Sequence, residues 1–527
     1  MVFTDSRGKV FLILLAAWAA IYLPGLGRQG LRGEEGRRVL PAVEMLKTGN
    51  WVLPRIADRD YYNKPPGINW LVAASFVLTG EQSELTARLP SVIFALIFVT
   101  FLIWMPIPWV DLEARLLGAI IFLTTSAILE KGRLIEIEMV YITLTGIAML
   151  LWLNLWSRNS PGWLLWIAPS IVLAFGMLVK GPFILLFFYS VVILVLYYSK
   201  KLKSLFSIWH IVGLGIALLP FCIWLLLAFQ RTSASKMSSQ MTSQLLIRII
   251  DKVDILYWGR NFVREFLNFL PWLVFLPMLW SRKVTSRIAP QYEAIFRGSR
   301  LGIVIGFSII SLMPKMEARY TMPLVPLVSV LLGWMLSLQK EIVSTDRLWK
   351  NILLAGFVVS CLTAAAGLIF ASVSAGTIIA LAAAICATIF IFLKREAIRG
   401  KPGLSLVTML LVMIVTLQYS TIFLDISVPM ENRAPIATDL NRIVPAGETI
   451  NLYNPGSFVY PAVFRLRPPI GYLHDANDIN EQVHYIFIRQ KYLKTQSIQD
   501  KIASRSPRVL YKAADTVPDE YQLLQLE

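Results

Sequence analysis

Long apolar runs set the pattern of this chain. Stretches with almost no charge recur at 116–129, 139–156, 183–198, 205–229, 351–372 and 375–393. A helix of about 17 to 25 such residues crosses a bilayer, so the pattern predicts an all-α, polytopic membrane protein. Between the runs, "SKKLK" (199–203), "SRKVTSR" (281–287) and "KREAIRGK" (394–401) are the strongest basic loops, and all three read as cytoplasmic. Arg7 and Lys9 before an apolar 10–23 resemble a secretory signal. With further spans following, they read as an uncleaved signal anchor with a cytoplasmic N-terminus.

Charge parity then orders the chain. A first span near 10–26 puts residues 27–87 outside. The apolar part of "PPGINWLVAASFVLTG" (65–80) is short for a span, and counting it would turn all three basic loops outward. Residues 67–79 therefore read as an interfacial or re-entrant helix. The remaining spans fall near 88–106, 112–130, 139–156, 162–179, 182–198, 205–229, 262–280, 300–313, 319–338, 351–372, 375–393 and 403–423. The total is about 13, with the C-terminus outside. From about 426 the pattern changes to a helix at 435–443 and strand-like runs at 449–453, 483–488 and 508–512. The chain thus divides into a membrane domain, 1–425, and a small extracytoplasmic α/β domain, 426–527.

Composition supports this picture, with 56% hydrophobic and 16% charged residues. The net charge of +17 lies mostly in short loops, with no basic domain interleaved with aromatics, so no nucleic-acid partner is expected. Cys222, Cys361 and Cys386 sit in apolar runs, and His210, His474 and His484 are scattered without metal-ligand spacing. The spans hold almost no ionisable groups; Arg264 and Glu265 near one span start are exceptions. A flippase or transporter of lipid-linked sugars, the alternative reading, calls for ionisable groups along a cavity within the spans.

Charge gathers in the outer loops instead. Residues 27–66 hold eight Lys/Arg against five Asp/Glu, against the usual depletion of cations outside. Val39, Val43 and Leu46 mark a helical face with Gly49 as its C-terminal cap, and Pro41 either starts or kinks the helix. Glu34 and Glu35 then lie at or before a helix start, where the dipole favours ionised carboxylates suited to polarising an acceptor. "NKPPG" (63–67) presents Lys64 on a stiff backbone at headgroup depth, placed for a lipid phosphate. Further outer turns carry Arg133, Glu136 and Glu138 (130–139), Lys180 in "LVKGPF", and Lys315, Glu317, Arg319 and Tyr320 (311–327).

Together these motifs resemble the GT-C glycosyltransferases of the protein O-mannosyltransferase and aminoarabinose (lipid A) transferase superfamily. The first-loop motif appears as Glu34-Glu35-Gly36-Arg37 followed by "EMLKTGNWVLP" (44–54). The "Y..KPP...W" motif falls on Tyr61, Lys64, Pro65, Pro66 and Trp70, and "R....D" on Arg133 and Glu138. "KGP" falls on 180–182, and the late proline-tyrosine motif on Pro314 to Pro326. The resemblance implies sugar transfer from a polyprenyl-phosphate donor to a glycolipid, glycan or protein acceptor on the extracytoplasmic face of a bacterial inner membrane. It puts Glu34 in the place of the family's catalytic Asp, with Glu138 in the second acidic role. Arg37, Lys64, Arg133, Lys180, Arg319 and Tyr320 become donor-phosphate or substrate contacts. Both acidic positions hold Glu where the family has Asp, so the base falls to Glu34 or Glu35. The later His motif of the aminoarabinose transferases has no match in 230–260, a Ser/Thr/Gln-rich segment expected to share in acceptor choice with the C-terminal domain. No cofactor is assigned, and dependence on a divalent metal is left open.

Overall fold

The structure, a computed structural model, describes residues 6–231, 254–338, 434–513 and 520–527. Two compact units emerge. One holds the chain to Pro24, Tyr62–Ile68 and the described residues from Arg88 to Leu338; the other holds Gly25–Tyr61, Asn69–Ala87 and the described residues from Ala434.

The helices in chain order are α1 (Arg7–Tyr22), α2 (Gly36–Thr48), α3 (Gly67–Thr79), α4 (Glu84–Trp104), α5 (Leu112–Thr124), α6 (Ser126–Lys131), α7 (Glu138–Ser157), α8 (Gly162–Lys180), α9 (Ile184–Tyr198), α10 (Ile208–Arg231), α11 (Ile255–Leu267), α12 (Glu293–Ser311), α13 (Val325–Leu338), α14 (Ala434–Ile443) and α15 (Gln496–Ala503). Among the described residues, six helical segments are long and apolar enough to cross a membrane, or seven if one bent pair is a single span. The protein is a multi-pass integral membrane protein. Expected spans at 351–372, 375–393 and 403–423 lie outside the described residues, as does most of the 230–260 loop.

Two expected spans are broken. The one at 262–280 is α11 followed by a 3-10 helix, Trp272–Trp280, bent by 83°. Pro271 and Pro277 explain the interruption, because each removes a backbone donor and clashes with the preceding turn. The one at 112–130 breaks between α5 and α6 at Thr125. There the Thr124 and Thr125 hydroxyls donate to the carbonyls four residues back, and the Ser126 N–H donates to the Leu270 carbonyl.

Close helix packing relies on small residues. A Cβ on Gly298 would come within 2.5 Å of the Val195 backbone, and one on Gly302 within 2.7 Å of Ser190 and Val191. Glycines four apart let α12 lie directly on α9, a contact bulky side chains would hold open.

In the second unit, β3 (Ile450–Tyr453), β4 (Ile470–Leu473), β5 (Tyr485–Arg489), β6 (Arg508–Lys512) and β7 (Tyr521–Gln525) form one sheet in the order β4-β3-β5-β7-β6. β3 runs parallel to β4 and β5, and β7 runs antiparallel to β5 and β6. Both faces are covered, which is why β5 reads as an unbroken apolar run. Tyr485 and Phe487 pack with Ile436 and Leu440 of α14 on one side; Ile486 and Ile488 pack with Ile498 and Ile502 of α15 on the other. The helix and three strands expected from the sequence are present, and β4 and β7 are additions.

The first-loop residues belong to this second unit. α2 starts at Gly36, runs through Pro41 and ends on Gly49 at φ 72°. Its buried face passes through Val39, Ala42 and Met45, with Val43 and Leu46 only half-buried. A Cβ on Gly36 would strike Tyr460 and Pro461 at 2.8–2.9 Å, so the helix start lies against the short helix Tyr460–Val463. Downstream, Arg55–Ile56 and Arg59–Asp60 make a hairpin, β1–β2, whose two-residue turn Ala57-Asp58 has φ of 54° and 57°. Positive φ at both positions is the type I′ geometry that matches strand twist.

Candidate active site

The two glutamates of the first loop face different surroundings. Glu35 is fully buried at the start of α2; its Oε2 accepts the Arg32 N–H at 2.9 Å while its own N–H donates to the Arg32 carbonyl at 3.0 Å. This reciprocal pairing fixes the turn. Glu34 is about a quarter exposed and accepts from Arg37 Nη1 at 2.7 Å and Arg38 Nη2 at 3.0 Å. Helical spacing makes both pairs, one at i,i+3 and one at i,i+4. Arg38 is buried, and its Nη1 also donates to the Tyr61 hydroxyl at 3.3 Å. The Tyr460 phenol shares this region; burial raises its pKa and Arg37 opposes the shift, so it stays neutral.

The second cluster belongs to the membrane unit and is built from three helix ends. Glu138 is the first residue of α7, Lys180 the last of α8, and Arg319 precedes α13. Glu138 is buried; its Oε1 lies 3.2 Å from Lys180 Nζ and 3.7 Å from Arg319 Nε. Arg319 also pairs with Glu317 at 2.7 Å. Lys180 Nζ lies 5.2 Å from the Tyr141 ring centre and 5.3 Å from that of Tyr320, near enough for cation–π attraction. Behind this group, buried Lys131 holds Glu130 and Glu136, each at 2.8 Å. Burial alone would lower the Lys131 pKa, but Glu136, Glu130 and Glu138 together outweigh it and raise the value, so the ammonium stays charged.

Segment 62–68 belongs to the same unit. A Cβ on Gly67 would lie 2.6 Å from the Leu178 carbonyl, so the "KPPG" turn carrying Lys64 rests against the last turn of α8, two residues before Lys180. The lack of a side chain at Gly67 is what permits the approach. Arg133 reaches toward α1. Its guanidinium donates to the Ile21 carbonyl at 2.6 Å and to the Pro24 carbonyl, closing off the end of α1.

Sequence reading singled out Glu138, Lys180, Arg319 and Tyr320 from separate turns, and the fold gathers them. It passed over Lys131 and Tyr141. Lys131 stood within the charged turn 130–139, whereas Tyr141 has no signal beyond lying three residues after Glu138. Glu265, on α11, is fully buried, and its Oε2 accepts the Ser311 hydroxyl at 2.5 Å. Among the described residues no three His, Cys, Asp or Glu side chains gather as a metal-binding group.

Comparison with solved structures bears on the fold. The crystal structure of ArnT from Cupriavidus metallidurans bound to undecaprenyl phosphate matches with a TM-score of 0.74 and 16% identity, covering 99% of this chain and 98% of that one. The chain has a GT-C glycosyltransferase fold. The apo structure of the same ArnT matches at a TM-score of 0.70. A family model described as dolichyl-phosphate-mannose-protein mannosyltransferase matches residues 63–226, which include Lys64, Arg133, Glu138 and Lys180. Curated relatives named undecaprenyl phosphate-alpha-4-amino-4-deoxy-L-arabinose arabinosyl transferase are also similar. One from Pseudomonas savastanoi pv. phaseolicola is 26% identical over 180 residues, and one from Pseudomonas fluorescens 25% over 231. The matched regions cover 33% and 41% of those relatives' lengths. This GT-C chain therefore resembles the aminoarabinose transferases in fold throughout and in sequence over part of its length.

Proposed function

We propose that this GT-C protein transfers a sugar from an undecaprenyl-phosphate-linked donor to an acceptor at the outer face of a bacterial inner membrane. What supports the reading is the meeting of Glu138, Lys180 and Arg319 at three helix ends in a chain whose whole length follows the ArnT fold. The acceptor oxygen attacks the anomeric carbon, the bond from that carbon to the phosphate oxygen breaks, and polyprenyl phosphate leaves with the electron pair. Glu34 takes the proton of an acceptor hydroxyl, a role its partly exposed carboxylate suits better than the enclosed one of Glu35. Arg37 and Arg38 orient Glu34. Lys180, Arg319 and Lys64 stabilise the charge growing on the leaving phosphate, and Glu138 fixes the two cations that touch it. Tyr320 and Tyr141 flank the Lys180 ammonium. Arg133 acts by holding α1 in place. The acceptor is a lipid A-like glycolipid, with an envelope glycan or a protein as the other classes to test. In this reading the membrane domain is 1–425 with about 13 spans, the N-terminus is cytoplasmic, and the domain from 426 is periplasmic.

The test is transfer in membranes containing the protein, given labelled undecaprenyl-phosphate sugar and each acceptor class. Labelled product from the intact protein that is lost in Glu34→Gln and Glu138→Gln supports the reading. Transfer unaffected by Glu34→Gln, Glu35→Gln and Glu138→Gln overturns the assignment of these residues. Donor lipid crossing the bilayer with no product makes the protein a flippase.

A further inference from the structure

The second unit contains a cleft of about 310 Å³ that the transfer chemistry above does not use. It lies between the β1–β2 hairpin and the carboxyl ends of β3, β4 and β5, with walls that include Arg59, Arg489, His474, Asn454, Tyr460 and Tyr492. Topology explains its position. The chain leaves β3 for β4 on one side, then crosses to β5 on the other, so β3 and β5 meet at a switch point. In open parallel sheets the crevice outside such a point is where ligands bind.

The local backbone is shaped around this crevice. Asn454, just past β3, takes the left-handed conformation at φ 41°. Its amide donates to the His474 carbonyl at 3.0 Å, and its Oδ1 accepts from Arg59 Nη2 at 2.9 Å. A non-glycine residue is held there only where surrounding contacts fix it. Gly456 leaves room for a cation. A Cβ at that position would fall 1.4 Å from Arg489 Nη2, so any other residue would displace the guanidinium. Tyr521 anchors Arg489 from behind, accepting its Nε–H and offering its ring 5.2 Å below. His474 has two buried ring nitrogens; the ring faces the Ala57 backbone, which leaves at least one nitrogen without a protein partner. Buried polar atoms without partners call for a ligand or water.

The lining is specific as to charge and shape. Two guanidiniums meet one wall carboxylate, Asp60, which is already engaged by Arg55 at 3.4 Å. Planar guanidiniums suit phosphate or carboxylate, while tyrosine rings and amides suit the faces and hydroxyls of a sugar. The volume equals roughly ten liquid waters, room for one monosaccharide with its anionic group and too little for a dinucleotide. The helix after β3, Tyr460–Val463, has only four residues, so side chains and not a helix terminus supply the positive field.

We propose that this cleft is a binding site for an anionic monosaccharide unit, its phosphate or carboxylate held by Arg59 and Arg489 and its ring by Tyr460 and Tyr492. The site goes beyond the transfer reading and does not depend on it. Full-length protein in neutral phosphatidylcholine nanodiscs is titrated calorimetrically with glucose 1-phosphate, glucuronate, glucose and inorganic phosphate. At least one anionic sugar binds saturably and tenfold or more tighter than glucose and free phosphate, and the better of the two assigns phosphate or carboxylate. Arg59→Gln and Arg489→Gln each weaken that binding at least tenfold. Arg59 is itself exposed on the β1–β2 hairpin, so its variant carries the test if Arg489→Gln lowers the melting temperature. Equal binding of glucose or of inorganic phosphate, no saturable binding, or unchanged binding in Arg59→Gln overturns the proposal. Because no turnover is read, failure here leaves the transfer reading standing.

Discussion

Glu34 and Glu138 are both paired with two cations, but the pairs are made differently. Glu34 meets Arg37 and Arg38 within one helical turn and keeps about a quarter of its side-chain surface exposed. Glu138 meets Lys180 and Arg319, residues 42 and 181 positions away, with only 6% of its side chain exposed. A local pair whose carboxylate is partly hydrated leaves that carboxylate open to a substrate, although Arg38 on its other side is buried. A buried pair between distant helices holds those helices in register, and the loss of one partner strands a charge. The first arrangement suits a group that exchanges a proton, and the second a group that fixes cations.

Substitutions can break this contrast. Glu138→Ala is expected to have the largest effect, ending transfer and lowering stability by about 3–5 kcal/mol, because Lys180 and Arg319 lose a buried counter-charge. Thermal denaturation in detergent reads the loss, and adding Lys180→Met should recover part of it; no loss in the single variant sinks the distinction. Glu34→Gln should slow transfer by about 10²- to 10⁴-fold, as expected for a general base, with a smaller drop in melting temperature than Glu138→Ala because the amide still accepts from Arg38. A drop in melting temperature matching that of Glu138→Ala would erase the contrast. Gly67→Ala sharpens the membrane side. It crowds the Leu178 carbonyl and should cost about 1–3 kcal/mol, with a raised KM for the donor, as Lys64 shifts from its seat. Donor KM equal to the parent value argues against the Lys64 assignment.

The smallest expected effect is a pH dependence in the second unit. Burial, then the nearby Arg59, lowers the His474 pKa below its ordinary value, while Asp478, Asp58 and the Ala57 backbone oppose them. The ring is therefore neutral near pH 7, and a bound anion favours its protonation. Anion binding in the cleft should strengthen as pH falls from 8 to 6, by less than about tenfold. Calorimetry at both pH values checks the sign, and His474→Ala should flatten the dependence.

The membrane-spanning character, the charged motifs between the apolar runs and most of the C-terminal elements were legible because each is a local pattern. Apolar run length predicts helices α7, α8 and α10 within a few residues, since a spanning helix satisfies its backbone within itself. The breaks at Thr125 and Asn268–Pro271 were missed because nothing in hydropathy marks them. β4 and β7 were not expected from the sequence; Gly471 inside β4 weakens its strand signal.

The sequence by itself determined that this chain lives in a bilayer, that Glu34 lies beside two arginines of the same turn, and that Glu35 sits where the helix begins. Hydrophobic run length and helical spacing decide such things over a few residues. Tertiary structure alone decided which glutamate is enclosed, that Lys180 and Arg319 converge on Glu138, and that Arg133 closes α1. It also decided that the first loop shares a unit with the C-terminal sheet, whose strand ends enclose a cleft. Those outcomes depend on pairings across 40 to 400 residues, as with Arg59 and Asn454, and local spacing carries no information about which distant partners will meet.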